Sequence, residues 1–315
     1  MSESRREALL AGLGTAALVV LVAALGWLGL RSGDLAAGPV PSATPTASIA
    51  SPGPTTPRPT PTVTASATPT LVEPDAALTE AFDEEVARLG GSYALAWLDA
   101  EGLHLLGSAP GSTAWSTIKV PLSVAALEAD PGAATWTDVE AALTRSDNAA
   151  ADALWAGLGD PEAAAAAVDA VLTAYDSPAT RTESERVSPP FSPYGQTVWS
   201  VTDAARFAGA LACAPAATTA GEVRQVMSDV VADQRWGIGE LDSAHLKGGW
   251  GPEGGGAYVL RQLGDGQVGT ERFALALSAR AEDGVYASAA GDVTGLVRWW
   301  AETVAPEREG LTCQE

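Results

Sequence analysis

Lysine is almost absent from this chain. Its 315 residues include 18 lysines and arginines, and only Lys119 and Lys247 are lysines. Because arginine supplies all the other basic charge, we expect the two lysines to be functional rather than solvated surface charges.

Histidine and several common catalytic motifs are also scarce or missing. The only histidines are His104 and His245, and the residues around neither suggest a Ser-His-Asp triad. The patterns G-x-S-x-G, H-E-x-x-H and C-x-x-C are absent, so we expect no metal and no cofactor. The formal net charge of −21 repels phosphate backbones, which excludes nucleic acid as a partner.

The N-terminal region predicts a membrane-tethered protein. Residues 8–30 carry no charge and would span about 34 Å as a helix, against roughly 30 Å of hydrocarbon. We favour an uncleaved transmembrane helix, with a cleaved secretion signal as the alternative. Arg5 and Arg6 precede the segment, which places residues 1–7 in the cytoplasm and the rest of the chain outside the cell.

A linker separates this segment from the folded domain. Residues 39–70 contain nine prolines and nine threonines and a single charged residue, Arg58. Such a composition buries little apolar surface and stays extended. We therefore predict a Pro/Thr/Ser-rich disordered linker over 31–73 and a domain over 74–315, which we expect to be monomeric.

The order of the predicted elements indicates an α+β domain. Two strands, 92–100 and 103–109, come first and three more, 245–250, 256–263 and 271–281, come late. Helical periodicity fills the middle of the chain, including 117–129 and 220–233, and helices at 77–89 and 287–303 flank the strands. This order predicts a five-stranded antiparallel sheet flanked by helices, with a helical second lobe.

Two cysteines, Cys213 and Cys313, remain to be explained. Outside the cell a pair is more often bridged than free, so we predict a disulfide, with two buried thiols as the alternative.

Both lysines occur in short motifs. Ser116 and Lys119 form S-x-x-K, which on a helix puts a serine and a lysine one turn apart on the same face. A desolvated lysine has a lowered pKa and can take the proton of a serine hydroxyl. Lys247 lies in K-G-G-W within a strand-like stretch, where glycines allow close backbone approach. Alone, each motif could be an ordinary surface serine, lysine or turn.

A third motif lies between them. Ser146, Asp147 and Asn148 form S-D-N at a helix start, which alone would be an ordinary N-cap. The order S-x-x-K, S-D-N, K-x-G resembles the signature of class A β-lactamases and penicillin-binding proteins. The resemblance covers residues 77 to about 303.

The resemblance implies a role for each motif residue. Ser116 would be the acylated nucleophile, Lys119 its general base, and Ser146 the proton carrier to the leaving nitrogen. Substrate binding would fall to Asn148, Lys247, Gly249 and Trp250. The N–H groups of Ser116 and Trp250 would form the oxyanion hole.

Three departures from that pattern bear on activity. The third motif has Gly248 where the family has a hydroxyl residue, and only 30 residues separate Ser116 from Ser146. E-x-x-L-N, whose glutamate activates the deacylating water, is missing. Glu183 and Glu185 lie nearby, although solvated loop charges describe them better.

The resulting expectation is an active-site-serine hydrolase of the β-lactamase or D,D-peptidase type. Its substrate would be a β-lactam or a peptidoglycan-stem-like amide ending in D-Ala-D-Ala. Slow deacylation would favour the peptidase. A cell-wall binding or sensing module on the same fold is the alternative.

Overall fold

The computed structural model describes residues 69–108, 113–253 and 256–313. The predicted transmembrane helix at 8–30 and most of the predicted linker lie outside these ranges. Among the described helices, none is both long enough and apolar enough to cross a membrane.

Within these ranges, a sheet of six strands organises the domain, in the order β1-β3-β2-β6-β5-β4. The strands are β1 Leu71–Val72, β2 Ser92–Leu98, β3 Leu103–Gly107, β4 Asp242–Glu253, β5 Ala257–Val268 and β6 Glu271–Arg280. All neighbouring strands are antiparallel except β1, which pairs parallel to β3. The predicted count of five strands is therefore wrong. Two residues are too few to show a strand pattern, and β1 falls in the segment assigned to the linker.

Eight α-helices accompany the sheet in the described residues. They are α1 Ala76–Leu89, α2 Lys119–Ala129, α3 Ala133–Thr144, α4 Asn148–Gly157, α5 Pro161–Ala174, α6 Val201–Ala212, α7 Thr219–Val226 and α8 Tyr286–Thr303. The helix predicted over 220–233 is wrong beyond Val226, because the chain continues in 3₁₀ turns at Met227–Asp229 and Ala232–Gln234. Local capping explains where others begin: the carboxylates of Asp147 and Asp160 accept the N–H groups of Ala150 and Ala163.

Helices cover both faces of the sheet, and β2 shows how the sequence accommodates them. Ala94, Ala96 and Leu98 belong to the apolar core shared with the helical lobe. The alternate residues Leu95 and Trp97 belong to a second core, which includes side chains of α8. Successive strand residues point to opposite faces, so a strand covered on both sides is apolar throughout rather than alternating.

A disulfide and a short 3₁₀ helix complete the frame around the candidate site. Cys213, which follows α6, is bonded to Cys313 near the C-terminus. The 3₁₀ helix Trp115–Ile118 runs directly into α2. Strand β4 lies at one edge of the sheet and packs against this 3₁₀ helix, which brings the first and third motifs together.

Candidate active site

The backbone presents Ser116 at the start of a helix. Ser116 is half-buried in the 3₁₀ helix, and Lys119 follows one turn later as the first residue of α2. Trp115, just before the serine, has φ of +51°, in the left-handed region that non-glycine residues rarely adopt. Strain of this kind costs about 1–3 kcal/mol and is held in place by surrounding structure, often at functional sites.

Lys119 is buried, and its ammonium group is surrounded by oxygen acceptors. Nζ donates to the Ser146 carbonyl at 2.8 Å, the Asp147 carbonyl at 3.2 Å and Oδ1 of Asn148 at 2.7 Å. Burial lowers the pKa of Lys119 to about 8, partly opposed by the charges of Asp147 and Asp152. The group can therefore lose its proton at mildly alkaline pH, as a general base requires.

The S-D-N segment is both a helix cap and part of the site. Asp147 caps α4, as its residue type predicts, while Ser146 and Asn148 on either side of it face Lys119. Ser146 has φ of +58°, a second left-handed residue beside the reactive groups. The interpretation as an ordinary cap accounts for Asp147 alone.

Lys247 of β4 reaches the same serine from the other side. It is fully buried, and Nζ donates to Oγ of Ser146 at 2.9 Å and to the Gly248 carbonyl at 2.8 Å. Burial, and then the charge of Lys119, lower the pKa of Lys247 well below its usual value. All three motifs thus meet at the hydroxyl of Ser146.

At Gly249, strand β4 passes close to the backbone of Ser116. A Cβ atom at Gly249 would lie 2.6 Å from the backbone nitrogen of Ser116, closer than real Cβ contacts allow. The side chain of the next residue, Trp250, packs against Tyr286 with ring centroids 5.2 Å apart. Because side chains alternate along a strand, the side chain of Trp250 points away from Ser116, and only the backbone of Trp250 can contact a group bound there.

Gly248, the departure in the third motif, has a steric cause. A Cβ atom there would lie 2.9 Å from Cζ2 and 3.2 Å from Cη2 of Trp236. The indole of Trp236 is 8% exposed and donates from Nε1 to the Tyr286 hydroxyl. The bulk of this indole therefore stands where a threonine or serine side chain would begin.

The segment between α5 and α6 packs against the serine-bearing turn. Thr197 accepts the N–H of Ala114 through its carbonyl at 2.8 Å, and Phe191 packs edge-on against Trp115 at 5.1 Å. Within this segment, one carboxylate oxygen of Glu183 accepts the N–H of Glu185 at 2.7 Å. Glu185 is exposed, and among the described residues the hydrogen bonds of Glu183 and Glu185 go to Thr197 and to each other rather than to the motifs.

The motif analysis missed two residues, Tyr194 and Asp152 of helix α4, that form a hydrogen bond with each other. Asp152 is one helical turn beyond Asn148, and its Oδ1 accepts the hydroxyl of Tyr194 at 2.6 Å. Helical spacing from Asn148 could have revealed Asp152, whereas Tyr194, 42 residues further on, carries no such signal.

A separate group could be considered for metal binding. Asp99, Glu101 and His104 cluster on the β2–β3 hairpin, away from β4 in the sheet. Asp99 already accepts from Trp97 and pairs with His104, and Glu101 pairs with Arg308 at 2.7 Å. These contacts form a polar network, buried at Asp99 and His104 and exposed at Glu101, that ties the C-terminal segment to the hairpin, and we assign no metal to it.

Known proteins resemble this chain in structure. No protein-family model matches the sequence, and no curated protein matches it significantly. A β-lactamase from Burkholderia vietnamiensis is 18% identical with a TM-score of 0.53, over 74% of this chain and 99% of that chain. A β-lactamase from Xanthomonas campestris pv. campestris is 18% identical with a TM-score of 0.53, over 72% and 98%.

An ancestral (GNCA) class A β-lactamase is 21% identical with a TM-score of 0.50, over 71% of this chain and 99% of that chain. At these identities the likeness concerns the fold. The matched part is about 72% of this chain and nearly the whole of each structure. This extent agrees with the resemblance predicted over residues 77 to about 303. The domain therefore has a class A β-lactamase-like fold.

Proposed function

We propose that the domain is a serine hydrolase that forms an acyl-enzyme on Ser116. The observation that carries this proposal is the position of the Ser146 hydroxyl between two buried lysines, 3.5 Å from Nζ of Lys119 and 2.9 Å from Nζ of Lys247. Burying two lysine side chains around one hydroxyl costs folding free energy, because neither charge has an anionic partner in the contacts described. Groups perturbed in this way are common at functional sites. Here they stand next to a serine at a helix start.

Acylation follows from this arrangement. The neutral amine of Lys119 takes the proton of the Ser116 hydroxyl, and the serine oxygen attacks a substrate carbonyl. The N–H groups of Ser116 and Trp250 stabilise the oxyanion. When the C–N bond breaks, Ser146 gives its proton to the departing nitrogen and is reprotonated by Lys119, which passes on the proton that it took from Ser116.

Lys247 indicates the substrate class. Its Nζ contacts only a hydroxyl and a carbonyl among the described partners, and burial lowers its pKa, so a bound anion would stabilise its charged form. A substrate with a carboxylate near the scissile amide would provide that anion. β-Lactams and acyl-D-Ala-D-Ala peptides both have this chemistry.

Two observations favour a second candidate function. The domain would then be a binding or sensing module that acylates poorly. Gly248 provides no hydroxyl for the substrate carboxylate, and the Glu183 carboxylate is engaged within its own loop. A D,D-peptidase with slow deacylation lies between this candidate and a β-lactamase.

We further propose that the domain acts outside the cell as a monomer tethered by residues 8–30. The Cys213–Cys313 disulfide supports an oxidising compartment, where such bonds persist.

The test is a time course with residues 69–315, which include strand β1, and a penicillin, following intact protein mass and intact drug together. A transient adduct with steady drug loss supports a β-lactamase, and a lasting adduct supports a peptidase. Absence of both adduct and drug loss would contradict penicillin recognition and favour the binding module.

A further inference from the structure

The carboxylate of Asp152 lies one helical turn beyond Asn148, which contacts Lys119, in a domain that lacks the E-x-x-L-N glutamate. Asp152 and Asn148 are four residues apart on α4, so their side chains share one face of the helix. Oδ1 of Asn148 is 2.7 Å from Nζ of Lys119, and the 3₁₀ turn Tyr194–Gln196, whose tyrosine contacts Asp152, packs against the turn that carries Ser116. Asp152 is exposed, so bulk water reaches it.

Tyr194 fixes the orientation of this carboxylate. Its hydroxyl donates to Oδ1 of Asp152 at 2.6 Å, and its ring is 2% exposed and packs on Trp155 at 5.1 Å. Burial, together with the Asp152 hydrogen bond, raises the pKa of Tyr194, so its hydroxyl stays a donor throughout the working pH range. One carboxylate oxygen is thus held, and the other is left to accept a proton from water.

From this geometry we propose that Asp152 is the general base that activates the hydrolytic water. The proposal rests on the acyl-enzyme chemistry proposed above. Asp152 takes one proton from water, and the water oxygen attacks the acyl carbonyl on Ser116. The tetrahedral intermediate collapses with cleavage of the bond between that carbon and the serine oxygen. The proton passes from Asp152 to the serine oxygen, which restores both groups and releases the acid.

The isosteric variant Asp152→Asn separates this role from a structural one. An asparagine oxygen still accepts the Tyr194 hydroxyl, but an amide cannot take a proton from water. We expect the acylation rate of Ser116 by a penicillin to stay within a few-fold of the unaltered protein. Deacylation, measured as decay of the adduct mass after removal of free drug, should slow by about 10²–10⁴, the usual contribution of a general base.

A second variant tests whether an added carboxylate restores deacylation, which a loss of folding would not allow. In Asp152→Ala the vacated space is open to solvent, so added formate can supply the missing carboxylate. We expect formate, and not chloride at the same concentration, to accelerate deacylation of Asp152→Ala. Glu183→Gln is the matched control. Glu183 lies in the loop where class A enzymes carry their catalytic glutamate, and its carboxylate accepts an N–H of that same loop. Its deacylation rate should stay unchanged.

The outcomes discriminate cleanly. Deacylation of Asp152→Asn within three-fold of the unaltered protein would overturn the proposal, as would a slow rate in Glu183→Gln alone. An adduct that never decays in the unaltered protein would also overturn it, while leaving acylation by Ser116 established. If no adduct forms in any variant, the acyl-enzyme chemistry fails first and the role of Asp152 falls with it.

Discussion

The Nζ atom of Lys247 lies 2.9 Å from the hydroxyl oxygen of Ser146, across 101 residues of sequence. This contact joins an edge strand of the sheet to the short connection between helices α3 and α4. It completes a path of hydrogen bonds from Lys247 through Ser146 to Lys119. In the proposed mechanism this path carries the proton to the leaving nitrogen, a role that would account for the burial of both lysines at one place.

The pH dependence of acylation tests the role of Lys119. Its pKa is lowered to about 8 by burial, so the neutral amine fraction rises as pH increases through 8. We expect the acylation rate to rise about tenfold per pH unit below that value and to level off above it. Stopped-flow measurements with a chromogenic β-lactam from pH 6 to 9.5 would show this.

Lys119→Arg provides the control for this pH profile. Arginine stays protonated throughout and cannot act as a base. Its acylation rate should fall by about 10²–10⁴. An unaltered profile in Lys119→Arg would exclude Lys119 as the base.

Close approach at Gly249 is expected to be essential for acylation. A methyl group there would lie 2.6 Å from the Ser116 nitrogen and 2.9 Å from the Thr117 nitrogen, so the strand or the helix start must move. A displacement of about 1 Å can cost about 10²-fold in rate. We expect Gly249→Ala to lose acylation by that factor while remaining folded, as measured by acylation kinetics and circular dichroism.

Restoring a hydroxyl residue at Gly248 should not restore a conventional third motif. Gly248→Thr forces its side chain against the indole of Trp236, and overpacking of this kind costs about 1–3 kcal/mol. Urea denaturation should show that loss. Gly291→Ala is the matched control, since a methyl group at this exposed position in α8 meets nothing within 4 Å. It should be neutral or stabilising by up to about 1 kcal/mol.

The Cys213–Cys313 disulfide is expected to contribute to stability without entering the chemistry. The bond closes a sequence separation of 100 residues, and losing such a bond typically costs about 2–5 kcal/mol. In the double variant Cys213→Ser, Cys313→Ser, the free energy of unfolding measured by urea denaturation should fall by that amount. Its acylation rate under folding conditions should match that of the unaltered protein, and a large loss of rate would contradict a purely structural role.

Sequence motifs predicted the centre of the site because they depend on local spacing and order. S-x-x-K, S-D-N and K-x-G each place their residues on one helix turn or one strand, and the structure brings Ser116, Ser146 and Lys247 to one place. The five longer strands were predicted for the same reason.

What the sequence could not predict depends on contacts between distant segments. The Asp152–Tyr194 hydrogen bond spans 42 residues and the Trp236–Gly248 contact joins a turn to a strand, and neither leaves a periodic signal. Strand β1 is defined by its pairing with β3 rather than by its own two residues. Such features follow from tertiary packing, which overrides local preference.

Locating the acyl group tests the central proposal most directly. The protein is incubated with a penicillin, quenched in acid, digested, and the adduct is assigned to a residue by tandem mass spectrometry, with Ser116→Ala treated in parallel. The acyl-enzyme mechanism predicts a single adduct on Ser116 and none in the variant. An adduct on another residue, or one that persists in Ser116→Ala, would contradict it.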